Sequence, residues 1–291
     1  MTKADPGTIL FDTPTELRSG SMSLEAALRY AEATFDQDPA YAAGRATPPL
    51  SSALLVLPSL ADAFGACMGD GAIVHTHGMH GEQDTTIHAP FAPGDEVVWD
   101  AVIHSVRQNA AGVLMTIRIE IRTPSGAPLT THLWSTIFPK ATTTCEGGPD
   151  LPDHQFPESA RQHLLGREVL FIPDDHGETY YRASGDGAPH ARFLEVAQRE
   201  GHPGLILQGM GSLGIVTAAV VRLAGGGDST RLERLAVRFS SPVLLGHDLE
   251  ICVYEVTRDP GGSLEVAFEA TQGERICLRH GRARFRPEEV S

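Results

Sequence analysis

The sequence predicts an α+β protein made of two copies of one unit, each with a central apolar helix wrapped by an antiparallel sheet. The first observation behind this prediction is an internal repeat. Three pairs of residues recur at an offset of 150: Tyr30 and Tyr180, Asp36 and Asp186, Pro39 and Pro189. The second observation is an apolar segment of helical length in each half, and the third is a set of strand-like segments after each of them.

The two apolar helices are the predicted centres of the two copies. Within Met210–Leu223, the stretch Ser212–Val221 is apolar on nearly all sides, which is typical of a helix that is buried on most of its surface. The counterpart in the first half is Ser52–Leu57, followed by Leu60–Phe64. A helix of this kind needs a surface around it, and the strands of the same half supply one.

The strand segments alternate apolar and polar residues, as strands with one buried face do. The clearest examples are Val113–Arg122, Leu249–Val256 and Leu264–Ala270. Thr123–Gly126 and Asp259–Gly262 have the composition of hairpin turns. We therefore expect antiparallel hairpins instead of alternating strands and helices.

Residues 142–157 interrupt this periodicity with a cluster of Thr, Gly, Pro and acidic residues. The sequence thus predicts an N-terminal repeat at residues 1–141, a linker at 142–157 and a C-terminal repeat at 158–291. Only the second repeat has both an acid and an imidazole in its loop, so we expect the site there.

Composition excludes several classes of function. The 291 residues have a net charge of −14, which disfavours binding along a nucleic-acid backbone. The four cysteines form no Cys-x-x-Cys pair, so we expect free thiols. The N-terminus lacks a signal-peptide pattern, and no apolar run is long enough to span a membrane. We expect a cytoplasmic protein with no nucleic-acid or membrane partner.

The candidate catalytic segment is the loop Ser184–His190, which is bounded by Gly and Pro. It places Asp186 and His190 four residues apart. A carboxyl group and an imidazole that share a bend can add water to an activated double bond or remove it, because an imidazole titrates near neutral pH and serves as acid or base. The alternative is structural: Asp186 stabilises a turn or caps a helix, and His190 lies in solvent.

Two other motifs have different interpretations. Gly209–Gly214 matches Gly-x-Gly-x-x-Gly, but the surrounding hairpins argue against a dinucleotide site. His75 and His77, with His80 or Glu82, have a spacing that could bind a metal ion on a strand. Because nothing else in the sequence supports either site, we expect neither a cofactor nor a metal.

Three segments together resemble the MaoC-like hydratase/dehydratase family in its two-repeat, double-hotdog form. The Ser184–His190 loop is similar to the family signature Ser-Gly-Asp-x-Asn-Pro-aliphatic-His. His202–Met210 resembles the family segment Pro-x-x-aliphatic-aliphatic-His/Gln-Gly-Met, and His80–Gln83 followed by Pro90–Asp95 is a pairing seen there. The resemblance extends from about Tyr30 to Phe285.

The loop departs from the family signature at two positions. Ala188 stands where the family has Asn. His190 occupies the aliphatic position, so that Ala191 stands where the family has His. In a helical turn, a shift of one residue rotates a side chain by about 100°.

The resemblance implies a hydro-lyase: a hydratase or dehydratase of a 2-enoyl or 3-hydroxyacyl thioester on coenzyme A or acyl carrier protein. Asp186 and His190 would be the acid/base pair. The backbone N–H of Gly209, at the start of the apolar helix, is the expected oxyanion donor beside Gln208. Gly209 and Gly211 would let an acyl chain approach closely.

Two alternatives keep the fold and change the function. The displaced His190 is compatible with an isomerase or cyclase of a biosynthetic intermediate. It is also compatible with a non-catalytic acyl-binding or partner subunit. Asp36 with Tyr41 is expected to be a degenerate first site that shapes the acyl tunnel. We expect a monomer or a homodimer.

Overall fold

The computed structural model of the chain describes residues 4–74 and 78–288. The helices are α1 Leu24–Ala33, α2 Pro39–Ala42, α3 Ala53–Cys67, α4 His176–Ser184, α5 Leu194–Arg199 and α6 Gly209–Ala224. The strands are β1 Arg18–Gly20, β2 Ile73–Val74, β3 Met79–Ile87, β4 Val97–Asn109, β5 Gly112–Arg122, β6 Pro128–Pro139, β7 Thr142–Thr143, β8 Leu164–Ile172, β9 Leu232–Phe239, β10 His247–Arg258, β11 Leu264–Gln272 and β12 Arg275–Phe285.

The chain divides by its packing into two compact units. Unit 1 comprises Met1–Ser21, Leu55–Ala89 and Gly94–Asp153, and unit 2 comprises Met22–Leu54, Pro90–Pro93 and His154–Ser291. The border between Asp153 and His154 lies within the predicted linker. The segment 22–54, in contrast, belongs to unit 2, so the compact units are not the two halves of the chain. The proposed repeat boundaries stay a prediction.

Unit 1 contains an antiparallel sheet with the strand order β1-β4-β5-β6-β3. Helix α3 is fixed to β4 by a hydrogen bond of 2.8 Å that the indole N–H of Trp99 donates to Ser59 Oγ. A separate pair of short strands joins β2 to β7. The predicted strand Val113–Arg122 is confirmed as β5, and the turn after it closes through the Gly126 N–H on the Thr123 carbonyl.

Unit 2 contains an antiparallel sheet with the order β9-β12-β11-β10-β8. Helix α6 packs against β8, β9, β10 and β11, and every residue from Met210 to Val221 is buried. The prediction of an apolar helix that is buried on most sides is therefore confirmed. The antiparallel sheet excludes the strand–helix–strand unit that a dinucleotide fingerprint requires, so that alternative is wrong.

Helices α1 and α4 lie against α6 at positions where α6 has glycine. A Cβ at Gly211 would stand 3.1 Å from the ring of Tyr180, and a Cβ at Gly214 would stand 2.5 Å from Thr34 Cγ2. The repeat-related rings of Tyr30 and Tyr180 meet edge to face, with centroids 6.1 Å apart. Close approach of these helices is the reason that α1 belongs to unit 2.

No helix within residues 4–74 and 78–288 combines the length and the apolar character that crossing a membrane would require.

The buried imidazole of His132 predicts that unit 1 loses stability in acid. Its Nδ1 lies 3.0 Å from Thr85 Oγ1, and burial lowers the pKa of His132 to about 4. Since the folded pKa lies below the unfolded value of about 6.5, this contribution to stability is present above pH 6.5 and is lost as the pH falls toward 4. We expect the titration of His132 to lower the free energy of unfolding by about 3 kcal/mol over this pH range.

Urea unfolding followed by tryptophan fluorescence measures this loss, because the only two tryptophans, Trp99 and Trp134, lie in unit 1. His132→Asn, which does not titrate, should flatten the dependence of the unfolding free energy on pH between 7 and 4. Equal pH dependence in the wild type and the variant would contradict the prediction.

Candidate active site

The loop after α4 takes its shape from local hydrogen bonds. Gly185 ends the helix in the left-handed region, with φ 75°, and its N–H donates to the Tyr181 carbonyl at 2.7 Å. Asp186 Oδ1 then accepts the N–H of Ala188 at 3.2 Å, and the Asp186 N–H donates to Ser184 Oγ at 3.0 Å. The carboxyl group is thus held by the turn that it stabilises.

The first copy of the loop repeats this geometry 150 residues earlier. Thr34 Oγ1 donates to the Tyr30 carbonyl at 2.9 Å, as Ser184 does to Tyr180 at 2.7 Å. Phe35 has a φ of 54°, which corresponds to the left-handed glycine of the second copy. Asp36 Oδ1 accepts an N–H two residues on at 3.3 Å. The repeat predicted from three residue pairs is therefore visible in the backbone.

The two copies differ five residues after the aspartate. In the first copy, the Tyr41 hydroxyl donates to Asp36 Oδ2 at 2.8 Å, and burial raises the pKa of both groups. In the second copy this position is Ala191, which is buried against Gly177. In the first copy the aspartate is thus hydrogen-bonded to a tyrosine. In the second copy Asp186 has no tyrosine at the corresponding position.

Removal of the Tyr41 hydroxyl should destabilise unit 2. In Tyr41→Phe, the half-buried Asp36 carboxyl loses its hydroxyl donor, which we expect to cost about 1–2 kcal/mol. Far-UV circular dichroism during urea unfolding gives the free energy. Tyr181→Phe is the matched control, because its ring stacks under Arg192 at 3.9 Å and none of the hydrogen bonds found among the described residues uses its hydroxyl. An equal loss in both variants would contradict the prediction.

His190 lies in a 3₁₀ turn, Pro189–Ala191, and makes its hydrogen bond away from Asp186. Its Nδ1 is 3.0 Å from Glu200 Oε2, and its side chain is 29% exposed. No hydrogen bond links Asp186 to His190 among the described residues. With about three residues per turn, adjacent side chains in a 3₁₀ turn diverge, and Ala191 takes the buried direction. The proposed acid/base pair is thus not joined by a direct hydrogen bond, and its joint role stays a prediction.

Asp186 and His190 nevertheless interact electrostatically. Burial raises the pKa of Asp186, and the N–H of Ala188 and the charge of His190 each lower it in part. A partly buried carboxyl group with a raised pKa holds a proton more readily than one in water, which suits an acid/base role.

The start of α6 adjoins the Asp186 loop through Gln208. Its Nε2 donates to the carbonyl oxygens of Gly177 at 3.1 Å and Asp186 at 3.0 Å. This pair of bonds fixes the orientation of the amide and leaves its Oε1 buried, with no hydrogen-bond partner among the described residues. The helix begins at Gly209, and no side chain in the described part of the chain caps it. Backbone N–H groups and a buried acceptor therefore lie beside the loop.

The residues predicted to bind the substrate at this helix start have different surroundings; they are Gln208, Gly209 and Gly211. Gln208 is the residue that joins α6 to the loop, and Gly209 stands at the first helical position. At Gly211, the ring of Tyr180 occupies the space that a side chain would need. The ring of Tyr180 thus fills the space beside Gly211, and the role of Gly211 in binding an acyl chain stays a prediction.

The candidate metal ligands do not form a site in the described part of the chain. His75 and His77 lie outside the described residues. His80 stacks on Trp134, with ring centroids 4.0 Å apart. Between residues 4 and 74 and between 78 and 288, no group of three His, Cys, Asp or Glu side chains is arranged to hold a metal ion.

Glu200 is the residue of this region that the sequence did not reveal. It lies ten residues after His190, on the far side of α5, and no family motif marks it. Only the fold of α5 brings its carboxylate to the imidazole.

Comparison with known sequences finds a matching domain and two similar proteins. Residues 158–273 match the MaoC-like domain. A probable dehydratase of Ajellomyces capsulatus is 26% identical over 218 residues, which cover 69% of this chain and 57% of that protein. The 3-hydroxyacyl-thioester dehydratase Y of Mycobacterium tuberculosis is 26% identical over 247 residues, which cover 79% of this chain and 81% of that protein. The match thus spans little more than half of the fungal relative.

Solved structures give the fold. A MaoC-like dehydratase from Phytophthora capsici superposes with a TM-score of 0.77 at 21% identity, covering 96% of this chain and 98% of that one. A protein from Mycobacterium tuberculosis described as having a double hotdog fold superposes with a TM-score of 0.57 at 14% identity, covering 96% and 98%.

The fold is that of a double-hotdog protein: unit 1 and unit 2 each contain an antiparallel sheet, and in unit 2 the buried helix α6 packs against the sheet. Within this class, residues 158–273 match the MaoC-like domain, and the matched segment contains Asp186, His190 and the start of α6. The resemblance inferred from the sequence is thereby confirmed.

Proposed function

We propose that this protein is a hydratase or dehydratase of 2-enoyl or 3-hydroxyacyl thioesters carried by coenzyme A or acyl carrier protein. The observation that carries the proposal is the junction at Gln208. It ties the backbone of Asp186, whose carboxyl has a raised pKa, to an uncapped helix start. An acid/base group and oxyanion donors thus adjoin each other, and dehydration of a thioester needs both.

In the dehydration direction, one group removes a proton from the α carbon and another protonates the leaving hydroxyl. The C–H and C–O bonds break, the double bond forms, and water leaves. Asp186, whose pKa is raised by burial, would donate the proton to the leaving hydroxyl. His190, through its Nε2, takes the α proton. Hydration reverses both transfers. Each positioned proton transfer typically contributes about 10²–10⁴-fold to the rate.

The start of α6 would hold the reacting groups. As the α proton leaves, negative charge develops on the thioester oxygen, and the N–H of Gly209 at the positive end of the helix dipole can stabilise it. The buried Oε1 of Gln208 can accept a hydrogen bond from the 3-hydroxyl or from the attacking water. Gln208 would therefore select substrates that place a hydroxyl at this point.

The test is incubation of the folded protein with crotonyl-CoA and longer 2-enoyl thioesters, on coenzyme A and on acyl carrier protein, followed by the loss of enoyl absorbance. Incorporation of oxygen-18 from labelled water into the product supports hydration. Turnover without label would support an isomerase or cyclase instead.

A non-catalytic acyl-binding subunit is the second candidate, because Ala191 replaces the imidazole expected at that position. Tight binding of the acyl thioester by the folded protein without turnover of any substrate would favour it and contradict the proposed hydratase.

A further inference from the structure

We infer that Glu200 is a positioning residue for His190: its carboxylate fixes the imidazole in one tautomer and leaves Nε2 as the atom that transfers the proton. This inference rests on the proposed function of the Asp186 loop and adds a third residue to it.

The hydrogen bond between the two side chains determines the tautomer. His190 Nδ1 lies 3.0 Å from Glu200 Oε2. A carboxylate can only accept, so Nδ1 carries the proton and the lone pair of a neutral ring lies on Nε2. No hydrogen bond of Nε2 is found among the described residues. The ring therefore presents a base at one defined nitrogen.

The backbone of Glu200 is held in place at the end of α5. Glu200 is the C-cap residue of this helix, and its N–H donates to the Val196 carbonyl at 3.0 Å. Gly201 follows in the left-handed region with φ 89°, and the chain turns back toward the loop. The Ile206 N–H then donates to the His190 carbonyl at 3.3 Å. Hydrogen bonds of the backbone thus hold both Glu200 and His190 in position.

The loop itself offers the imidazole no such partner. Ala188 and Ala191 have no polar side-chain atoms, and Asp186 makes its hydrogen bond to the Ala188 N–H. Without Glu200, the ring of His190 is free to rotate and to exchange tautomers, since the other ring near it, that of His202, makes only an edge contact with centroids 6.4 Å apart.

Kinetics of Glu200→Ala test the inference. We expect kcat to fall about 10-fold to 100-fold, because the loss of Glu200 removes only part of the rate contribution of one positioned proton transfer. KM should stay within about twofold of the wild-type value. Glu200→Gln keeps an acceptor and should restore kcat to an intermediate value. Glu195→Ala is the matched control, because Glu195 is exposed on the same helix. A kcat in Glu200→Ala equal to that of the control would overturn the inference.

A second measurement needs no turnover. In protein labelled with ¹⁵N-histidine, the signals of His190 are assigned by their absence in His190→Ala. We expect the Nδ1–H tautomer in the wild type and a mixture dominated by Nε2–H in Glu200→Ala. An unchanged tautomer would overturn the inference. If the wild type has no activity on any thioester, the proposed function fails, and the tautomer alone decides whether Glu200 orients the ring.

Discussion

Asp186→Asn is expected to lower kcat for hydration or dehydration by at least about 10², because the amide cannot exchange the proton that the carboxyl transfers. Asparagine keeps the side-chain oxygen that accepts the N–H of Ala188, at 3.2 Å in the wild type. The turn should therefore persist, and the loss should appear in kcat with little change in thermal stability. Initial rates of enoyl consumption at saturating substrate measure it.

Asp248→Asn, on an exposed position of β10, is the control for removal of one negative charge. It should retain wild-type kcat. Wild-type turnover in Asp186→Asn would remove Asp186 from the proposed chemistry, whatever the fold of the chain.

Gly177→Ala is expected to reduce kcat about as strongly as Asp186→Asn does, although Gly177 is not itself a proton-transfer group. A Cβ at this position would stand 2.1 Å from the carbonyl oxygen of Ala191, so the backbone that carries His190 must move. The Gly177 carbonyl also accepts from Gln208 at 3.1 Å. We expect a stability loss of about 1–3 kcal/mol from the overlap, and a fall in kcat of about 10² as the Asp186 loop shifts from α6.

Gly204→Ala is the matched control, because a Cβ there would meet no atom within 4 Å. Circular dichroism distinguishes a shifted loop from an unfolded unit, and kcat is compared at a temperature where both variants are folded. Full activity in folded Gly177→Ala would show that the junction of Gly177, Ala191 and Gln208 does not position the loop.

Much of the fold could be predicted from local patterns. The apolar run Met210–Leu223 predicted a buried helix, because so many apolar side chains are stable only away from water. In the structure this run forms α6, which packs against the sheet of unit 2. The alternation in Val113–Arg122 and Leu264–Ala270 predicted β5 and β11 because one face of each strand is covered. The 150-residue offset predicted a repeated loop, and in both loops the aspartate side chain accepts a backbone N–H from two residues further on.

The site was less predictable, because side-chain direction depends on contacts between distant segments. The loop motif indicated Asp186 and His190, but not that the imidazole would bond to Glu200 at 3.0 Å. The glycines of α6 indicated that another group approaches this helix closely. They did not indicate that this group is the ring of Tyr180, which lies beside Gly211.

The sequence by itself therefore determined the repeated loop, the buried helix α6 and the segment that carries the acid, since periodicity and spacing are properties of the local chain. The tertiary structure alone decided that α1 joins unit 2, that the ring of Tyr180 fills the space beside Gly211, and that the Glu200 carboxylate at the end of α5 bonds to the imidazole. These arrangements depend on which surfaces fill each other's space, and no local pattern encodes that choice.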